Sequence, residues 1–258
     1  MRRWALGAWV ALVLGFLMLP VAVIVLAAFT TTSYLTVPPR GVTLKWFAQV
    51  LGDRDYIDAL ALSLQLALVT TAGALAVGTA AAYALARRAV PGAAAVSALM
   101  MAPLAFPGVV IGVALLQYYA LVGLRGSFLG LVLAHLVITI PYAMRSVLAS
   151  IHGTDPDLEN AACTLGASRL SAFARVTLPL IRPGLVAGGL FAFITSFDNV
   201  PVTIFLLGVR DMTLPVKIFT AIEYGVDPSI AALSTLLIAA TAIVLVAAER
   251  WVGFHRFV

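Results

Sequence analysis

Six long apolar runs dominate the chain, at about 9–29, 60–85, 96–122, 128–148, 185–207 and 230–248. Each is near the ~20 residues that an α-helix needs to cross ~30 Å of hydrocarbon. Lipid offers no water to backbone N–H and C=O groups, so a spanning segment must be a helix or part of a closed barrel. The runs lack the apolar–polar alternation of barrel strands. The expected fold is therefore an all-α membrane protein of six transmembrane helices, forming a single domain over 1–258 in a lipid bilayer. Composition agrees, because 62% of the residues are hydrophobic and 10% are charged, against about 45–50% and about 25% in soluble domains.

The first run follows Arg2 and Arg3 and so imitates a signal peptide. It is longer than a signal core and lacks a small-residue cleavage site, so a retained helix is expected. Orientation follows from where Lys and Arg fall. With the N-terminus inside, the inner segments collect Arg2, Arg3, Arg87, Arg88, Arg145, Arg169, Arg175, Arg182, Arg250 and Arg256. The outer segments collect Arg40, Lys45, Arg54, Arg125, Arg210 and Lys217. Ten against six places both termini in the cytoplasm.

Several chemistries are not expected. Cys163 is the sole cysteine, so no intrachain disulfide can form. His135, His152 and His255 are scattered, with no metal-ligand spacing. No GxxxxGK[ST] phosphate loop is present, so the chain is not expected to bind ATP itself. No Ser/His/Asp set or HExxH is seen, and no cofactor is expected. The net charge of +5 is spread along membrane loops and gives no nucleic-acid signal.

One segment between the fourth and fifth runs, about 154–183, is neither apolar enough nor long enough to span. Thr154 or Asp155 suits a helix cap and Pro156 the first helical position. Leu158, Ala161, Ala162 and Leu165 recur at helical spacing and predict one apolar face. Gly166 should end or bend that helix. A second short helix is predicted from Ser168 to Val176, stopped by Pro179 and Pro183. Two short helices around a glycine would lie at the cytoplasmic surface, either resting in the headgroups or docking a partner.

The residues of this segment resemble the EAA loop of bacterial ABC-importer permeases. That pattern runs E-A-A, three residues, Gly, nine residues, an aliphatic residue, any residue, then Leu-Pro. Here it reads Asn160-Ala161-Ala162, three residues, Gly166, nine residues, Val176, Thr177, Leu178-Pro179. Asn160 stands where the family has its glutamate, with Glu159 just before it. AHLVITIPYAMRSVLASIHGTDPDLENAA and GGLFAFITSFDNVPVTIFL look like the spermidine/putrescine-type branch, and the likeness runs from about Ser63 to Phe219. The resemblance implies a non-catalytic permease of the bacterial inner membrane. Its implied partners are a cytoplasmic ABC ATPase dimer, a second and different permease subunit, and an extracytoplasmic solute-binding protein. On that basis Leu158, Glu159, Asn160, Ala161, Ala162, Leu165, Gly166 and Ala167 would dock the ATPase. Leu178, Pro179 and Pro183 would shape the loop. The loop would act as a coupling helix that switches the pore between inward-facing and outward-facing states.

Within the predicted spans, Asp198 is the only acid. A charge there costs ~2.5–3.5 kcal/mol on insertion scales, so it should face a bundle interior or an aqueous path. Asp198, with Ser196 and Asn199, either lines a path for a cationic solute or bonds to backbone freed by Pro201. Tyr118 and Tyr119 either stack on such a cation or belong to an interfacial aromatic belt. His135 suits a helix–helix hydrogen bond better than proton carriage. Pro103 and Pro107 predict a kink in the third span. Ala74, Gly78 and Ala82 form a small-residue stripe, suited to close packing within the chain or to a subunit interface. Alternatives are the same architecture importing an amino-acid derivative, a phosphonate, a vitamin or a metal chelate. A secondary transporter expects an inverted repeat, and an intramembrane enzyme expects paired reactive groups; neither is seen.

Overall fold

In a computed structural model, residues 2–87, 91–208, 211–225 and 227–252 are described. Arg88, Arg210, His255 and Arg256 of the sequence argument lie outside the described residues, as do the side chains of Arg2, Arg3 and Arg250. Every regular element among the described residues is helical. In chain order they are α1 (Arg2–Ala27), α2 (Lys45–Gly52), α3 (Arg54–Ala86), α4 (Ala93–Met101) and α5 (Gly108–Val122). There follow α6 (Phe128–His152), α7 (Asp157–Thr164), α8 (Arg169–Leu180), α9 (Arg182–Phe197), α10 (Thr203–Leu206), α11 (Leu214–Tyr224) and α12 (Pro228–Val252).

Among the described residues, three helices are long and apolar enough to cross a membrane: Leu6–Ala27 within α1, and all of α3 and α6. The number rises to five if each of two bent pairs is one span. One pair is α5 with Ala93–Ala105, where α4 continues into a 3₁₀ turn; the other is α8 with α9.

The third predicted span is therefore two helices meeting at 103° rather than one kinked helix. Pro103 opens the 3₁₀ turn, and Phe106 before Pro107 is extended (φ −102°, ψ 142°). A proline disfavours helical geometry in the residue before it, and that forces the turn. The fifth predicted span also breaks. Helix α9 ends at Phe197, and 198–202 are non-helical before the short α10.

The chain divides into two compact units, Ala59–Lys217 and Met1–Asp58 with Ile218–Val258. In the second of these, Ala27, Ala28, Trp46, Ala231 and Ala232 form the core, with Phe29 and Phe47 packed against it. Trp46 Nε1 donates to Thr30 O at 2.7 Å and fixes α2 to the end of α1.

In the 59–217 unit, small residues let helices approach α6. Gly184, Gly188, Ala192 and Ser196 are buried at every fourth position of α9. A Cβ on Gly188 would lie 3.1 Å from Ala143 Cα, and one on Gly184 would lie 2.8 Å from Ser146 O. Helix α3 meets the same helix through Gly78, whose added Cβ would sit 2.8 Å from Met144 N. The Ala74–Gly78–Ala82 stripe thus packs within the chain, one of its two expected uses. Helix α6, approached by α3 and α9, carries the buried Ala134, His135, Ala143, Met144 and Val147.

Candidate functional site

The segment between α6 and α9 begins with a cap. Asp155 Oδ1 accepts from Asp157 N–H at 2.9 Å, which satisfies a free donor of the first turn of α7. The helix ends at Gly166 with φ +97°. There Ala167 N–H donates to Ala162 O at 3.1 Å and Gly166 N–H to Cys163 O at 3.0 Å. This pair of bonds around a left-handed residue closes a helix and favours glycine. Ser168 then caps α8 by accepting from Ser171 N–H.

Pro179 does not stop the second helix, contrary to the sequence expectation. Residues 173–177 form a π turn, and Leu178 N–H donates to Phe173 O. The wider coil accommodates the proline ring, and α8 continues to Leu180. The chain turns by 73° at Ile181, and Pro183 begins α9 rather than ending α8.

The apolar face of α7 points outward. Leu158, Ala161 and Leu165 are exposed, Leu165 at 89%, and so is Leu170 on α8. Ala162 and Ala167 are half-buried. The residue that turns inward is Glu159, 7% exposed. One carboxylate oxygen accepts from Tyr83 Oη; the other accepts from Arg87 Nη2 at 2.5 Å and from Thr177 Oγ1 at 2.7 Å. The Arg87 guanidinium also lies over the Tyr83 ring, and Phe173 meets that ring edge-on at 4.9 Å. Asn160 is exposed, and its side-chain amide donates to Asp157 at 3.3 Å. The buried carboxylate therefore sits one residue before the family's glutamate position.

Burial pushes the Glu159 carboxyl up. Hydrogen bonds from Tyr83, Thr177 and Arg87, together with the Arg87 charge, outweigh it, and the net direction is below the ordinary value. Burial lowers Arg87, but its bond to Glu159 and that carboxylate's charge raise it above its ordinary value. Both groups are held charged. A cleft of about 1370 Å³ opens beside them, lined by Thr79, Tyr83, Arg87, Glu159, Cys163 and Arg169 among others. The loop is thus held by polar contacts at Glu159 together with the apolar packing of Ala172, Leu178 and Ile181. Tyr83, Arg87 and Thr177 carry no local pattern that marks them, and sequence reasoning missed all three.

The membrane residues divide differently. Asp198 is exposed at the end of α9, and no described residue donates to its carboxylate. Asn199 instead takes up the freed backbone: its Oδ1 accepts from Val202 N–H at 3.0 Å, and its carbonyl accepts from Thr203 Oγ1 at 2.6 Å. Ser196 is buried against His135. Tyr118 is 57% exposed, whereas Tyr119 is 4% exposed and packs in a core with Leu66, Leu131 and Leu206.

The profile of the family described as "Binding-protein-dependent transport system inner membrane component" matches residues 74–255. The chain belongs to this family. It is 27% identical to spermidine/putrescine transport system permease protein PotC of Escherichia coli (strain K12), covering 94% of this chain and 92% of that one. Putrescine transport system permease protein PotI of the same strain is 33% identical, over 91% of this permease and 86% of PotI. PotC of Haemophilus influenzae is 31% identical over 92% of each chain. Among solved structures, a bacterial ABC transporter involved in the import of the acidic polysaccharide alginate superposes with a TM-score of 0.75, covering 96% of both chains at 17% identity. That likeness concerns the fold alone. The protein is a permease subunit of an ABC importer.

Proposed function

We propose that this chain forms half of the translocation path of an ATP-driven importer for a small cation of the polyamine class, such as spermidine or putrescine. One permease domain over 1–258 crosses the bacterial inner membrane six times, with both termini in the cytoplasm. Helices α7 and α8 rest on a cytoplasmic ATPase dimer. A second, different permease completes the pore, and an extracytoplasmic binding protein delivers the solute. The observation that carries the docking role is the inverted amphipathicity of α7. Leu158 and Leu165 face out while Glu159, one of its two acids, is tied inward, so an apolar knob stands free on an anchored base. The cargo class is supported by relatives named for spermidine and putrescine, and by the exposed carboxylate of Asp198 at the break in α9.

The test is gentle purification of the tagged chain from its native membrane, with mass spectrometry of what accompanies it. Recovery of an ATPase, a second permease and a polyamine-loaded binding protein is the expected result. Leu165→Asp should lose the ATPase and keep the second permease. An intact chain recovered alone would end the importer reading. The same proteins with a different solute would keep the mechanism and replace the cargo.

A further inference from the structure

The buried cluster around His135 plays no part in the docking loop, yet it is a costly feature. An imidazole in an apolar interior is unfavourable unless both ring nitrogens are bonded. Here both are, and their partners flank the break in the fifth predicted span. The small-residue seam of α9 against α6 ends at Ser196, whose Oγ lies 2.8 Å from His135 Nδ1. After the break, Thr203 Oγ1 lies 3.0 Å from His135 Nε2.

The proton positions follow from donor counting. Thr203 has one hydroxyl proton, which goes to Asn199 O at 2.6 Å. Its oxygen must therefore accept from His135 Nε2–H. In the neutral ring Nδ1 is then the acceptor, and Ser196 donates to it. Thr139 Oγ1 bonds back to His135 O at 2.7 Å within α6.

On another side the break meets glycines of α5. A Cβ on Gly112 would sit 3.0 Å from Pro201 O and 3.2 Å from Val202 Cα, and one on Gly108 would sit 3.1 Å from Pro201 Cβ. Pro201 and Val202, at the far end of the non-helical segment, are thus seated on a glycine surface, and one imidazole bonds to the residues that flank the segment, Ser196 and Thr203. Asp198 is the charged group this segment presents.

We propose that His135 is a positioning residue of the cargo path: by bridging Ser196 and Thr203 it holds the 198–202 segment in the shape that presents Asp198. This rests on the reading of Asp198 as a contact for a cationic solute. A residue serving only to fill the core would need volume and no donor–acceptor pair. His135→Leu keeps apolar bulk and removes both bonds. His135→Gln keeps one acceptor and one donor.

The test has two readouts on the full transporter, one of which does not depend on cargo. Cys163 is the sole cysteine of this chain, so Cys163→Ser with Asp198→Cys gives it a single site for a nitroxide spin label, read in the full transporter against the same complex with Cys163→Ser alone as background. His135→Leu should increase label mobility at 198, and His135→Gln should restore it. In the Asp198 background, His135→Leu should raise the KM for spermidine or putrescine uptake roughly tenfold, the loss expected for about two hydrogen bonds, with His135→Gln recovering most of it. Unchanged label mobility in His135→Leu overturns the bridge, as does equal mobility in the Leu and Gln variants. Higher mobility with an unchanged KM also overturns the role in cargo positioning, provided Asp198→Asn alone raises that KM. If Asp198→Asn leaves KM unchanged, the cargo reading of Asp198 fails and the proposed role fails with it, while the label still reports whether the bridge exists.

Discussion

Arg87, just past the end of α3, and Glu159, in the first turn of α7, stand 72 residues apart in sequence and meet at 2.5 Å. Helix α3 has 33 residues, about 50 Å at 1.5 Å each, and so outruns the ~30 Å hydrocarbon layer. Its Arg87 end provides a fixed post beside the loop. The charged pair ties α7 to α3, and Thr177 on the same carboxylate ties it to α8.

Removing one member of this pair should harm more than removing both. Glu159→Gln leaves a half-buried guanidinium without its carboxylate, whereas Glu159→Gln with Arg87→Gln leaves two neutral amides. Loss of a charged partner costs roughly 1–3 kcal/mol, and neighbouring groups couple strongly. The expected result is a loss of ATPase co-purification in each single variant and partial recovery in the double variant. A double-mutant cycle on thermal unfolding in detergent measures the coupling; a coupling of zero removes the tether.

The tether should also depend on pH in a defined direction. The Glu159 carboxyl lies below its ordinary value of 4.5 when the loop is folded. A group with a lowered folded value binds more protons when unfolded, so stability rises with pH across the interval between the two values. The contribution is fully present above about 4.5 and is lost as pH falls through the lowered folded value. The difference in melting temperature in detergent between wild type and Glu159→Gln should therefore be flat from neutral pH down to about 4.5 and shrink as pH falls through the lowered value; a difference that stays constant below 4.5 removes the tether.

The glycine seam predicts a packing defect. Gly188→Val places a branched side chain where even a Cβ would lie 3.1–3.2 Å from the Ala143 backbone. Over-packing of this kind costs typically 1–3 kcal/mol. The melting temperature in detergent should fall, while Gly7→Ala on α1, where an added Cβ meets nothing within 4 Å, should leave it unchanged.

Much of this architecture was legible because lipid enforces it. Length and apolarity alone marked α1, α3 and α6, and Asp155, Pro156 and Gly166 marked the bounds of α7, since caps and left-handed turns are local chemistry. The bends were half legible. Pro107 signals a break, but the seat of α5, where Gly108 and Gly112 meet Pro201, Val202 and Phe205, lies in no local pattern. Pro179 misled because a π turn absorbs it. The Gly184–Gly188–Ala192–Ser196 spacing was visible as a small-residue repeat and went unread. The Glu159 hub was not legible, because it exists only where α3, α7 and α8 converge.

Tyr118 and Tyr119 give a test of the path from two adjacent residues. One turns outward at 57% exposure and the other is buried at 4%. Gly130 packs against Tyr119, since an added Cβ there would lie 3.3 Å from its ring. Tyr119→Ala should therefore act as a core truncation, costing roughly 3–5 kcal/mol by the precedent of buried aromatics, and should reduce the amount of folded protein without a selective change in KM. Tyr118→Ala should leave folding intact. If its ring stacks on a cationic solute, KM should rise several-fold, in keeping with ~0.5–2 kcal/mol for a cation on an aromatic face, and Tyr118→Phe should retain most of the affinity. If Tyr118 belongs to the interfacial belt, uptake kinetics in Tyr118→Ala should match wild type. Uptake measured in proteoliposomes, normalised to folded transporter by size-exclusion chromatography, separates the two outcomes.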